Sequence, residues 1–114
     1  MLLQFKCKNH SVFYNETILD LTATQEKNYT DTPFDIKNTK VLPIIEIHGA
    51  NASGKTSILD ALAYMFYMIK FSNKMDVNDA LPTVPFAFSE KAKKENSEYE
   101  ISIIIEETEY RYGF

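Results

Sequence analysis

Residues 48–65, HGANASGKTSILDALAYM, constrain the fold of this chain more than any other stretch. Two glycines, a lysine and a threonine stand there at the spacing G-x-x-x-x-G-K-T: Gly49, Gly54, Lys55 and Thr56. An apolar run rich in branched residues precedes the pattern at 41–49, and a segment of helical length and composition follows it at 55–71. A strand, a glycine-containing loop and a helix in this order are typical of a phosphate-binding loop.

The loop between the two glycines is made of small or short residues: Ala50, Asn51, Ala52 and Ser53. Their main-chain N–H groups can surround an anion because no bulky side chain intervenes. Gly49 permits a sharp turn at the end of the strand, and Gly54 lets the backbone come close to phosphate oxygens. The chain has only three glycines, so two of them on one loop are a strong signal.

The first helical residues supply the expected side-chain contacts. We expect the Lys55 ammonium on the β and γ phosphates, the Thr56 hydroxyl on Mg²⁺ and Ser57 near the α phosphate. Mg²⁺ fits because it binds through few protein ligands together with phosphates and water. The sequence therefore predicts ATP and Mg²⁺ as cofactors, residues 49–57 as the nucleotide-binding set and Thr56 as the metal ligand.

Length, charge and cysteine content indicate the size of the domain and the cellular compartment of this site. The 114 residues suffice for one small domain, and a net charge of −4 gives no basic footprint for nucleic acid, which leaves DNA binding open. The single cysteine, Cys7, alternates with apolar residues and is expected in the core of a reduced, cytoplasmic protein. No secretory signal is apparent, and the apolar run within 58–71 is too short to span a membrane.

Apolar patterning predicts an α/β fold: a small, mainly antiparallel sheet joined to the phosphate-loop strand, with one long helix beneath it. Strands are expected at 2–9, 17–23, 41–49, 98–107 and 109–114. The first two are expected to pair with each other, the last two to form a hairpin, and 41–49 to be covered on both faces. The helix 55–71 is expected to be largely buried, and 24–40 and 72–97 to be surface connections.

The amino-acid sequence around the loop resembles that of a known family. Residues 47–62 are similar to the G-x-N-G/A-x-G-K-S/T-[NS]-L-x-x-A-[LI] pattern of SMC, RecF and OLD-like ABC ATPases. The opening LLQFKCKNHSVFYNETILDLTAT resembles the start of AAA15/OLD-like ATP-binding proteins, with matches at Asn9, Ser11, Phe13, Leu19, Leu21 and Ala23. The segments PFAF and SEYEISIIIEETEYRYGF resemble a later part of the same proteins.

This resemblance implies a two-lobed ATPase whose heads form a homodimer around ATP, as in proteins that accompany nuclease or toxin effectors in phage defence. Residues 1–114 would then be the N-terminal lobe of an ABC-type ATP-binding domain. No Walker B strand, ABC signature or switch histidine follows Thr56, and Glu106-Glu107 fits a hairpin better than a Walker B end. Catalytic residues are therefore unassigned, and ATP hydrolysis is expected only of a longer protein.

Two other functions remain open at this stage. A P-loop kinase would need a lid arginine, and Arg111 is the only arginine in the chain. A truncated interaction module would keep the loop without binding nucleotide.

Asn51 and the turn near Asn9 each have two possible interpretations. Asn51 is either a phosphate or partner-head contact or a turn residue that tolerates positive φ. The turn of Lys8, Asn9 and Ser11 is either an ordinary hairpin turn or, as the family resemblance implies, a segment near the nucleotide. His48 is expected to pack in its strand and His10 to lie at the surface.

Overall fold

The computed structural model describes residues 1–23, 34–36, 39–76 and 78–114. A four-stranded antiparallel sheet has the order β2-β1-β5-β6, and a separate two-stranded sheet pairs β3 with β4. The strands are β1 (Leu2–Lys8), β2 (Thr17–Asp20), β3 (Phe34–Ile36), β4 (Thr39–Val41), β5 (Glu98–Ile105) and β6 (Thr108–Gly113). One α-helix, α1 (Lys55–Phe71), and two short 3₁₀ turns, Ser72–Lys74 and Ala92–Lys94, complete the described elements.

Strand β1 lies in the interior of the sheet, between β2 and β5. Its alternating sequence points Leu3, Phe5 and Cys7 into the core, where each is at most 5% exposed. Phe5 faces Leu19 of β2 and Ile101 of β5 in the two antiparallel registers. The predicted pairing of the first two strands and the core position of Cys7 are confirmed.

The core has two clusters of buried residues. The larger joins one face of the sheet to α1 and contains Phe5, Cys7, Ile58, Ala61, Met65, Tyr99 and Ile101. The smaller joins β1, β5 and β4 and contains Leu3, Leu21, Val41 and Ile104. β1 therefore contributes residues to both clusters.

Helix α1 has the predicted bounds but a different buried face. Its buried residues are Ile58, Ala61, Met65 and Met68. Leu59 is 56% exposed and Phe66 is 52% exposed, so the expectation of a largely buried helix was wrong. The reason is geometric: among the described residues the sheet covers one side of the helix, and the apolar side chains on the other side have no covering layer.

The predicted strand at 41–49 was also wrong. β4 ends at Val41, residues 42–50 have no strand pairing, and Ile44 is 74% exposed. A branched apolar run becomes a strand only when a neighbouring strand satisfies its N–H and C=O groups. Here the Leu42 N–H still donates to the Leu21 carbonyl at 2.8 Å, but among the described residues no strand pairs with residues 43–49.

The connection predicted at 24–40 contains a hairpin that the sequence did not indicate. β3 lies within it and pairs with β4, which ends one residue beyond it, so that Phe34 is opposite Val41. The remainder of that predicted connection, 24–33 and 37–38, lies outside the described residues. The long connection after α1 is confirmed, since residues 75–97 carry only one 3₁₀ turn among those described.

The hairpin of β5 and β6 turns at Glu106 and Glu107. Both residues have positive φ, 47° and 63°, as a two-residue hairpin turn requires. The predicted hairpin is confirmed, and the two carboxylates belong to its turn. No helix within the described ranges is long and apolar enough to cross a membrane.

Candidate phosphate-binding site

The N-terminus of α1 has free hydrogen-bond donors. The helix begins at Lys55 after Gly54, and no side chain caps its first turn. The first turn also contains no acidic residue. The unpaired N–H groups and the positive end of the helix dipole therefore face a region that can accept an anion.

The Lys55 side chain folds back over the loop that precedes the helix. Its ammonium Nζ donates to the carbonyl oxygens of Gly49, at 2.6 Å, and Ala50, at 2.5 Å. It also lies 3.4 Å from Ser53 Oγ. The lysine thus joins the start of the loop to its end and holds a positive charge beside the loop amides.

The loop has little space for a Cβ at either glycine, and its backbone favours glycine most strongly at Gly54. A Cβ on Gly49 would lie 2.5 Å from Ser53 Oγ. Gly54 has φ +93°, and a Cβ there would lie 3.0 Å from Val12 Cγ2. In addition, Ala52 has a φ of 63°. Asn51 lies in the same turn, as one of its two interpretations predicts, although the residue with the left-handed backbone is Ala52. A contact of Asn51 with phosphate or with a partner head stays a prediction.

A turn between β1 and β2 packs against the loop. Residues 9–13 include the bridge between His10 and Phe13, and Ser11 Oγ lies 3.3 Å from Ser57 Oγ in the first turn of α1. Lys8, by contrast, pairs at the surface with Glu98, at 2.7 Å. Of the three residues predicted to form this turn, Ser11 is the one with a hydrogen-bond contact to the loop or to α1.

Asn9 is fully buried and supports the turn from behind. Its Nδ2 donates to the carbonyl oxygens of Ala92, at 2.8 Å, and Glu95, at 3.0 Å. Its Oδ1 accepts from the Phe86 N–H at 2.9 Å. The side chain therefore fastens the turn to the connection that precedes β5.

His10 is buried rather than at the surface, so that expectation was wrong. Its Nδ1 lies 2.8 Å from the Tyr99 hydroxyl, and the two rings meet edge to face. Burial lowers the pKa of His10, and the carboxylate of Asp60 opposes this effect in part. The imidazole is therefore a neutral core group close to the first turns of α1.

His48 and Cys7 have no contact with the site. His48 is exposed and pairs with Glu46 at 2.9 Å, so its expected packing in a strand was wrong. Burial raises the pKa of the Cys7 thiol to about 11, which keeps it protonated and unreactive in the core.

The residues present fit a magnesium–nucleotide ligand. Thr56 is an exposed residue in the first turn of α1, next to the lysine in sequence. Mg²⁺ bound to phosphates needs one or two protein oxygens and takes the rest of its ligands from phosphate and water. The described residues contain no group of three or more histidine, cysteine, aspartate or glutamate side chains placed to hold a metal.

One comparison with known proteins identifies a family. Residues 47–114 match the AAA_21 family, described as "AAA domain, putative AbiEii toxin, Type IV TA system". No curated protein and no solved structure gave a significant match. The match contains the whole glycine loop, α1 and the β5–β6 hairpin, and it covers more than half of the chain. The chain therefore belongs to the AAA_21 family of AAA domains and carries the P-loop of an ATPase-like domain.

Proposed function

We propose that this chain binds ATP together with Mg²⁺ through residues 49–57. The observation that carries the proposal is the position of Lys55, whose ammonium bridges the Gly49 and Ala50 carbonyl oxygens beside an uncapped helix N-terminus. An anion at this point meets main-chain donors, the helix dipole and one positive charge together.

Each loop residue has a role in this proposal. The amides of Ala50, Asn51, Ala52 and Ser53 surround the β phosphate, and Gly49 and Gly54 allow the backbone its close approach. Lys55 binds the β and γ phosphates, Thr56 holds Mg²⁺, and Ser57 binds the α phosphate. Mg²⁺ neutralises phosphate charge when it is bound, while these residues bind and orient the nucleotide.

The chain is further proposed to be the N-terminal lobe, 1–114, of an OLD-like ABC-type head. The support is the resemblance of its loop and flanking segments to that branch of ATPases. In such a protein a homodimer of heads encloses ATP, and the acid that activates water comes from a segment other than this one. Hydrolysis is accordingly proposed for the longer protein and not for this lobe alone.

A defence role against phage is proposed for the whole protein. The family description names a type IV toxin–antitoxin system, and the resemblance to OLD-like proteins suggests a nuclease or toxin effector as partner. This part of the proposal rests on similarity of sequence.

Calorimetric titration with MgATP tests the proposed site. The wild-type chain and a control, Lys70→Ala, are expected to bind MgATP alike, because Lys70 is exposed in the last turn of the same helix. Lys55→Ala is expected to lose binding while its circular dichroism spectrum stays that of the wild type. Equal affinity in wild type and Lys55→Ala would reject the site, and absence of binding in all three would favour an interaction module. A phosphotransfer screen is the separate test for a kinase: detectable transfer of the phosphoryl group to a small acceptor would indicate that function instead.

A further inference from the structure

We propose that Ser11 is a positioning residue of the nucleotide site and that it acts through Ser57. The inference rests on the proposed function, because it concerns how a residue of that site is oriented. Ser11 and Ser57 are 46 residues apart in the sequence, yet their hydroxyl oxygens lie 3.3 Å from each other in a partly buried position.

The backbone of Ser11 is fixed on both sides. Its N–H donates to the Val84 carbonyl at 2.8 Å, and its own carbonyl accepts from the Ala87 N–H at 2.8 Å. Its φ is 53°, a left-handed value that a residue with a Cβ adopts only when its surroundings impose it. The connection before β5 therefore holds Ser11 in a costly conformation that brings its hydroxyl to α1.

The turn as a whole is built in the same way. Asn9 also has φ 53°, and its buried side chain is held by hydrogen bonds that include those to Ala92, Glu95 and Phe86. Val12 and Phe13, next along the turn, lie against Gly54 at the end of the loop. Two strained residues and a buried amide thus fix the distance between this turn and the first turn of α1.

Two hydroxyls in series can orient each other. A serine hydroxyl is one donor and two acceptors, and its hydrogen rotates freely unless a neighbour fixes it. When Ser11 donates to the Ser57 oxygen, the Ser57 hydrogen is left to point at a phosphate oxygen, and the first hydrogen bond strengthens the second. Ser11 thereby prepares Ser57 for the anion without touching the nucleotide.

A double-mutant cycle on MgATP and MgADP affinity tests this role. Ser11→Ala is expected to weaken binding of both nucleotides by roughly 3- to 10-fold, the range of one hydrogen bond. The same substitution in a Ser57→Ala background is expected to change affinity by less than about twofold, because the group it acts through is gone.

Ser11→Gly separates this role from a structural one. Glycine removes the hydroxyl but adopts a φ of 53° without strain, so the variant is expected to melt at or above the wild-type temperature. It should nevertheless show the same loss of affinity as Ser11→Ala, and it serves as the test variant if Ser11→Ala does not fold.

Each outcome decides something definite. Wild-type affinity in Ser11→Gly, or losses that add in the double mutant, would overturn the role of Ser11 while leaving the site intact. If the wild-type chain bound neither MgATP nor MgADP, the site itself would be rejected and this inference with it.

Discussion

The side chain of Asn9 and the backbone carbonyl of Ala92, 83 positions apart in the sequence, are joined by a 2.8 Å hydrogen bond. Asn9 is 0% exposed, and its carboxamide also satisfies Glu95 and Phe86. Asn9→Ala would leave the buried backbone groups of Ala92, Glu95 and Phe86 without this hydrogen-bond partner. The substitution is therefore expected to lower the free energy of unfolding by about 3 kcal/mol. Urea unfolding measures this, with the exposed Asn15→Ala as the control; equal midpoints for the two variants would contradict it.

Neighbouring residues of α1 should differ sharply in their contribution to stability. Met65 is 0% exposed between the helix and the sheet, whereas Phe66 is 52% exposed. Met65→Ala is expected to cost about 2–5 kcal/mol of unfolding free energy, because it leaves a cavity in the core. Phe66→Ala is expected to cost about 0.5 kcal/mol or less. Denaturant unfolding of both variants checks the difference, and a larger loss for Phe66→Ala would show that the opposite face of the helix is the covered one.

The two loop glycines should respond differently to alanine. Gly54 has φ +93° and lies against Val12, so Gly54→Ala is expected to destabilise the chain by about 1–2 kcal/mol. Gly49→Ala would meet the Ser53 hydroxyl, which can rotate away, and should cost less in stability. Thermal unfolding compares them, and adding Val12→Ala to Gly54→Ala should recover only the part that comes from crowding. Equal melting temperatures for the two glycine variants would refute this account of the loop.

The buried imidazole of His10 predicts a dependence of stability on pH. Burial holds the pKa of His10 in the fold below its ordinary 6.5, although Asp60 acts in the opposite direction. Between these two values the unfolded chain binds the proton and the folded chain does not. Stability from the neutral imidazole is therefore complete above pH 6.5 and declines as the pH falls from 6.5 toward the folded pKa.

Unfolding free energies measured from pH 8 to pH 5 test the assignment. His10→Gln should remove the decline below pH 6.5, and His48→Gln, at an exposed position, should retain it. The same decline in His10→Gln as in the wild type would assign it to other groups.

Local patterns were sufficient for much of the fold. The bounds of α1 follow from Gly54 and from the apolar spacing after Lys55, and β1 follows from the alternation of Leu3, Phe5 and Cys7. Each of these signals lies within a few residues of the element that it predicts. The loop residues lie where the sequence indicated, and their contact with a nucleotide stays a prediction.

The sequence failed where distant partners decide the outcome. His10 is buried because it forms a hydrogen bond with Tyr99, which is 89 residues away in the sequence. Ile44 belongs to a run that looks like a buried strand but finds no pairing strand among the described residues. The apolar periodicity of α1 indicated one amphipathic helix and could not tell which side the sheet would cover, since apolar residues lie on both sides.

The position of β1 in the sheet determines which boundaries an expressed fragment of this chain should have. The family match starts at Ile47, but β5, inside that match, has β1 as its neighbour along residues 98–103. A fragment trimmed to the matched segment would retain the glycine loop while leaving one edge of β5 bare and the helix without Phe5 and Cys7 beneath it. A recombinant boundary chosen from sequence similarity alone would therefore divide a single folding unit, and a workable one must include β1.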